Sequence, residues 1–246
     1  MNEQRVFSRT IPYNNEQFFH QYKWLTKEEP HHVLLESGRG GRYSIAGLSP
    51  FAVISSNVEG IQIEMNGKIE KRKGLPLSEF ESWIKAFEIP VQEGLPDFQG
   101  GAIGYISYDY ARYIERLPDY AEDDLGLPLL YFQVFKEWAI FDHQTKMLWL
   151  LIIEKDQEEA ERKLKEAEGK WVASFKEEEY AAVKAATDEL KVSFSDEAFQ
   201  EAVEKTKQYI AAGDVFQVNL SVRQSKPLLI PAMAVYEELR KLNPSP

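Results

Sequence analysis

The chain has 246 residues at 28.4 kDa, with 43% hydrophobic, 13% aromatic and 28% charged side chains and only 14 Gly and 12 Pro. That composition excludes a disordered or fibrous protein and leaves one large domain, or one domain with part of a second. A balance of 29 Lys and Arg against 40 Asp and Glu gives a net charge of −11, which repels phosphate backbones and anionic lipid alike, so neither nucleic acid nor a membrane is expected as partner.

The absence of cysteine removes disulfides, thiolate ligands and thiol nucleophiles and fits a reducing compartment. Residues 1–5 (MNEQR) have no apolar stretch like that of a signal peptide, and the longest apolar runs, 127–135 and 147–153, are too short to span a bilayer. A cytoplasmic location is expected.

In chain order, residues 33–35 and 43–48 read as strands. Ile61, Ile63 and Met65 alternate with Gln62 and Glu64 ahead of Asn66-Gly67, a pair suited to a type I′ hairpin turn. Ser78-Glu79-Phe80-Glu81 reads as a capping box, after which Phe80, Trp83, Ile84 and Phe87 recur on one helical face. Strands are predicted at 102–108, 129–135, 138–141 and 147–153, the last two joined by a polar turn at 142–145. Residues 154–191 turn to Glu, Lys and Ala, with Ala160, Leu164, Ala167, Trp171 and Phe175 as a thin apolar stripe on a charged helix. A new unit starts at the N-cap Ser195, with Phe199, Ala202, Val203, Thr206 and Ile210 facing a core and Gly213 as the stop. Residues 215–223 alternate as a strand, and a last helix carries Val235, Leu239 and Leu242. The expected organisation is an N-terminal α/β domain at 1–153, a charged helix and linker at 154–192, and the start of a second domain at 193–246. One helix, one strand and another helix bury too little to stand alone, so that second domain reads as incomplete.

Several constellations have a chemical reading beside a structural one. His20, His31, His32 and His143 contain no i, i+4 pair, so surface or strand-end roles suit them better than zinc. Gly100-Gly101-Ala102-Ile103-Gly104 resembles a phosphate loop only loosely and fits a close backbone approach in a sheet. Asp109 lies among Tyr105, Tyr108, Tyr110 and Tyr113, where it would either serve acid–base work or cap a turn. Residues 37–43 (SGRGGRY) combine a serine, three glycines and two arginines, suited to a carboxylate ligand or simply to a hairpin loop. The polar face of 215–223 would line an anionic cleft or face solvent.

Five blocks carry a resemblance that spans the chain: 34–37 (LLES), 41–47 (GRYSIAG), 98–105 (FQGGAIGY) with Tyr108-Asp109, 213–221 (GDVFQVNLS) and 243–246 (NPSP). In this order they resemble the chorismate-using synthases, the anthranilate and aminodeoxychorismate synthase family. The close spacing of Ser37 and Arg42-Tyr43-Ser44, and the runs at 97–104 and 108–115, resemble its para-aminobenzoate branch.

The resemblance implies an α+β fold of facing antiparallel sheets flanked by helices, with the C-terminal domain incomplete here. It implies replacement of the chorismate 4-hydroxyl by ammonia from a glutamine amidotransferase partner, giving 4-amino-4-deoxychorismate for para-aminobenzoate and folate synthesis. Magnesium is implied as cofactor, but its ligands and the general acid and base belong to a stretch beyond residue 246, so no catalytic residue is assigned here. An inter-sheet tryptophan-type pocket is implied at Ser37, Arg42, Tyr43, Ser44, Pro244, Ser245 and Pro246, without the family's following aromatic and Met. The alternatives are the anthranilate branch of the family and a non-catalytic amino-acid-binding module.

Overall fold

The computed structural model describes residues 4–37, 40–57, 59–118, 120, 122–176 and 190–243. These fall into two units, one up to residue 177 and one over 178–243.

The first unit runs β1 (Arg5–Pro12), α1 (Asn15–Leu25), β2 (Val33–Leu35), β3 (Tyr43–Gly47), β4 (Ala52–Asn57), β5 (Gly60–Met65), β6 (Lys68–Lys73), α2 (Pro76–Ile84), β7 (Gly101–Ile106), β8 (Leu130–Phe135), β9 (Glu137–Asp142), β10 (Met147–Glu154) and α3 (Gln157–Val172). The strands make two five-stranded antiparallel sheets, ordered β1-β10-β9-β3-β2 and β6-β5-β4-β8-β7. Lys136 alone separates β8 from β9, so the chain passes from one sheet to the other across a single residue.

The first sheet is covered on both faces, which is why β10 reads as a nearly unbroken apolar run. Leu148, Leu150, Phe141 and Ser44 lie toward α1 and α3, where Phe18 stacks between Phe141 and Trp171 with centroids 5.9 and 5.1 Å away. The opposite face, with Tyr43, Ile45, Trp138, Ile140, Leu151 and Ile153, packs under Ile89, Leu95 and Phe98. The second sheet buries Ala52, Ile54, Ile61 and Ile63 against Phe80 and Trp83 of α2. Its hairpin turns where the Asn-Gly pair predicts, with Asn66 at φ 53° and Gly67 at φ 69°. Gly104 carries the close approach within GGAIG: a Cβ there would sit 1.9 Å from the Tyr131 carbonyl oxygen.

Helix α2 begins before the expected capping box. Pro76 at its first turn, with φ fixed for a helix, moves the start ahead of Ser78, and Leu75 stands at the N-cap without a side-chain bond. The predicted strand 102–108 ends at Ile106, because Tyr108–Tyr113 coil into a 3-10 helix. Along α3, Ala160, Leu164 and Trp171 are buried as their spacing predicts, whereas Phe175 lies beyond the helix and stacks on Trp24.

The second unit contains β11 (Lys191–Val192), α4 (Asp196–Ala212), β12 (Gln224–Ser225) and α5 (Ala232–Leu242). Ser195 caps α4 by accepting from the Ala198 N–H, and Gly213 ends it at φ 82°. Phe199, Ala202, Val203 and Thr206 are the more sheltered residues of α4, but none is buried, and Ile210 is exposed. The predicted strand 215–223 does not form. A strand exists through its ladder bonds, and here the only pairing among the described residues joins β11 to β12.

Candidate functional site

The hairpin loop between β2 and β3 brings Ser37, Arg42, Tyr43 and Ser44 together. Gly38 and Arg39 of this loop, and Pro244, Ser245 and Pro246, lie outside the described residues. Gly41 has a steric reason to be glycine: a Cβ there would stand 2.3 Å from Ser37 Oγ. That close approach lets the Ser37 hydroxyl donate to the Tyr43 carbonyl at 2.6 Å while the Ser37 N–H donates to Ser44 Oγ at 3.4 Å.

Two further residues belong to the site. Tyr43 stands opposite Asp142 in the β3–β9 register, which sets the β9–β10 turn beside the loop. Arg42 donates through Nε and Nη2 to Asp142 Oδ2 at 3.2 and 2.9 Å, and its guanidinium lies 4.7 Å from the Tyr43 ring centroid. Burial alone would push the Asp142 carboxyl up, but Arg42 and the N–H groups of Gln144 and Thr145 outweigh it and hold it below the usual carboxylate range. Arg42 is raised, chiefly by its hydrogen bond to Asp142. Ser44 Oγ meets His143 Nε2 at 2.8 Å. Burial, aided by Lys146, pushes His143 down against the opposing pull of Glu36 and Asp142, so its ring is neutral at pH 7. Ser44 Oγ accepts from the Ser37 N–H and can donate to Nε2, which then leaves the ring proton on Nδ1.

The Ser44–His143 pair has nucleophile–base spacing without the rest of such a site. Ser44 is 0% exposed, and the Asp142 oxygens are taken by Arg42 and the turn amides, so Asp142 does not orient the ring. Its role is to fix the loop. Arg42 has donors to spare: half of its side chain is exposed, and Asp142 engages one edge of a five-donor fork. The site can bind a carboxylate, with the Tyr43 ring beside it.

The other constellations take structural roles. Asp109 accepts from Arg112 Nε at 3.2 Å. The phenols do not gather around it: Tyr110 OH accepts from the Leu77 N–H, Tyr105 stacks on Tyr131, and Tyr108 is open to solvent. His32 bonds to the Tyr22 hydroxyl and His31 Nδ1 to that of Tyr131 at 3.0 Å, tying the α1–β2 connection to α1 and to β8. Among the described residues no group of three or more His, Asp or Glu is placed to hold a metal ion, so these residues do not fit a magnesium site. No described helix is long and apolar enough to cross a membrane.

Asp142 and His143 were legible only as members of a polar turn. Their partners lie about 100 residues upstream, and nothing local announces that pairing.

The chorismate binding enzyme family matches residues 13–246. The chain belongs to that family. Among chorismate-binding relatives, aminodeoxychorismate synthase component 1 of Bacillus subtilis (strain 168) is 44% identical over 249 residues, covering 100% of this chain and 53% of that protein. Anthranilate synthase component 1 of Thermus thermophilus is 38% identical over 230 residues, 92% of this chain and 48% of that one. The crystal structure of anthranilate synthase component I from Streptococcus pneumoniae TIGR4 superposes with a TM-score of 0.67 at 25% identity, covering 91% of this chain and 50% of that chain. The chain spans about half the length of the curated relatives it matches.

Proposed function

We propose that this chain is the N-terminal half of component I of an aminodeoxychorismate synthase. The enzyme takes chorismate and ammonia, released from glutamine by an amidotransferase partner, to 4-amino-4-deoxychorismate in the cytoplasm. The observation that carries this is the 44% identity over the whole chain to the Bacillus subtilis enzyme, against 38% to the Thermus anthranilate synthase. Magnesium and the acid–base groups are assigned to the half of the relatives that this chain does not cover.

In this reading the β2–β3 loop is the polar end of an amino-acid pocket of tryptophan type. Arg42 receives the ligand carboxylate with the donors that Asp142 leaves free. Ser37 Oγ, whose own proton goes to the Tyr43 carbonyl, accepts from the ligand ammonium. Tyr43 flanks the side chain, Ser44 positions the loop, and Pro244, Ser245 and Pro246 supply the facing wall.

The test fuses this chain to the uncovered half of the Bacillus subtilis relative and assays it with chorismate, magnesium and ammonium salt. Formation of 4-amino-4-deoxychorismate, identified by mass spectrometry, is expected, with none from the chain alone. Anthranilate as the product would transfer the assignment to anthranilate synthase.

A further inference from the structure

A cavity of about 360 Å³ opens where the two sheets exchange their chain, and no hairpin residue lines it. Phe51, Phe87, Ile89 and Ile153 supply apolar wall, and Lys136, the one residue between β8 and β9, lines it as well. The backbone on both sides of Lys136 is pinned: its carbonyl accepts from the Ile153 N–H at 2.8 Å, and the Val134 carbonyl accepts from the Phe51 N–H at 2.9 Å. The Lys136 ammonium lies 4.7 Å from the Phe51 ring centroid, with no carboxylate at ion-pair distance among the described residues. In the same unit Arg9 pairs with Glu161 and Glu168, and Lys163 with Glu154. The buried Gln99 has both amide ends occupied by the Gln92 backbone, at 2.8 and 2.7 Å, so it shapes the wall and offers no further grip.

We infer that this cavity is a second binding site, taking a monocarboxylate with one apolar ring, whose carboxylate pairs with Lys136. Several observations fix that class. A partly sheltered ammonium without a counter-ion gains a charge-assisted bond from an anion. The volume sits at the small end of ligand pockets and is enough for a single-ring acid. Glu88 and Asp97, exposed carboxylates on the same lining, disfavour a second negative charge on the ligand. The site shares no lining residue with the amino-acid pocket proposed for the loop, and its proposal does not rest on that one.

The test uses the whole chain labelled with 5-fluorotryptophan, because Trp83 packs against both Phe51 and Phe87, with centroids 6.2 and 4.7 Å away. Phenylacetate should shift the Trp83 fluorine resonance saturably, and benzyl alcohol, which has the ring without the charge, should bind about tenfold more weakly. Lys136→Gln should abolish that preference, Lys136→Arg should keep it, and Lys85→Gln, at the exposed position just after α2, should change nothing. A folded parent with no saturable shift would overturn the site, as would undiminished phenylacetate affinity in Lys136→Gln. Loss of binding in Arg42→Gln with retention in Lys136→Gln would place the anion at the loop and overturn it equally.

Discussion

Two helices with the same kind of amphipathic pattern meet opposite fates in this molecule. Along α3, Ala160, Leu164 and Trp171 are at most 2% exposed, because β10 and β1 lie beneath them and Arg9 of β1 reaches up to Glu161 and Glu168. Along α4, the stripe of Phe199, Ala202, Val203 and Thr206 is the sheltered side, yet nothing on it is buried. The strands repeat the contrast. The alternation of Ile61 and Ile63 becomes β5, closed by β4 and β6, while that of 215–223 stays open and Phe216 is 93% exposed. Periodicity specifies which face wants cover, and supplies no cover itself.

The contrast predicts unequal costs for one and the same substitution. Leu164→Ala removes a side chain that is 1% exposed, and should cost about 3–5 kcal/mol in urea denaturation. Leu239→Ala, at a position 54% exposed on α5, should stay within about 0.5 kcal/mol. Similar costs would mean that the second unit holds a core of its own.

Within the first unit, Gly41→Ala pushes a methyl against Ser37 Oγ, at 2.3 Å before relaxation, and should destabilise by about 1–3 kcal/mol. Unchanged thermal stability would show that the loop can move aside freely and that its geometry is not fixed.

Acid should loosen the same loop in two stages. His143 is held below its ordinary value, so the unfolded chain takes up a proton first, and stability falls as pH drops below about 6.5 toward the folded value. Asp142 is likewise depressed. Its contribution is present above the unfolded carboxyl value of about 3.9 and is lost as pH falls through the folded one. His143→Gln should flatten the melting temperature between pH 7 and 5.5 and leave the lower limb in place. A slope unchanged by the substitution would remove His143 from the acid response. The smallest effect expected is a gain: Gly169→Ala in α3, where a Cβ meets nothing within 4 Å, should add about 0.5–1 kcal/mol.

Local signals were legible in the sequence because the chemistry that decides them is local. Asn66-Gly67 closes its hairpin, Ser195 and Gly213 bound α4, and the α3 spacing finds its buried stripe. Ser78 misled, because the proline two residues earlier governs the helix start. In the candidate site, Ser37, Arg42, Tyr43 and Ser44 stand in sequence order along one loop and could be found together. Asp142 and His143 could not, since strand register, which no local motif encodes, brings them alongside. Likewise 215–223 has the residues of a strand, and whether it is one depends on a neighbour that its own sequence does not contain.

The most direct test of this account is amide hydrogen exchange, residue by residue, on the 246-residue chain. Residues 138–141 and 148–152, central in a five-stranded sheet and covered on both faces, should exchange only through global opening, whereas 215–223 should exchange near the rate of an unstructured peptide. Adding the uncovered half of the Bacillus subtilis relative should slow the second group and leave the first as it was. Strong protection of 215–223 in the chain alone would contradict the account, because that segment would then have found its sheet without any partner.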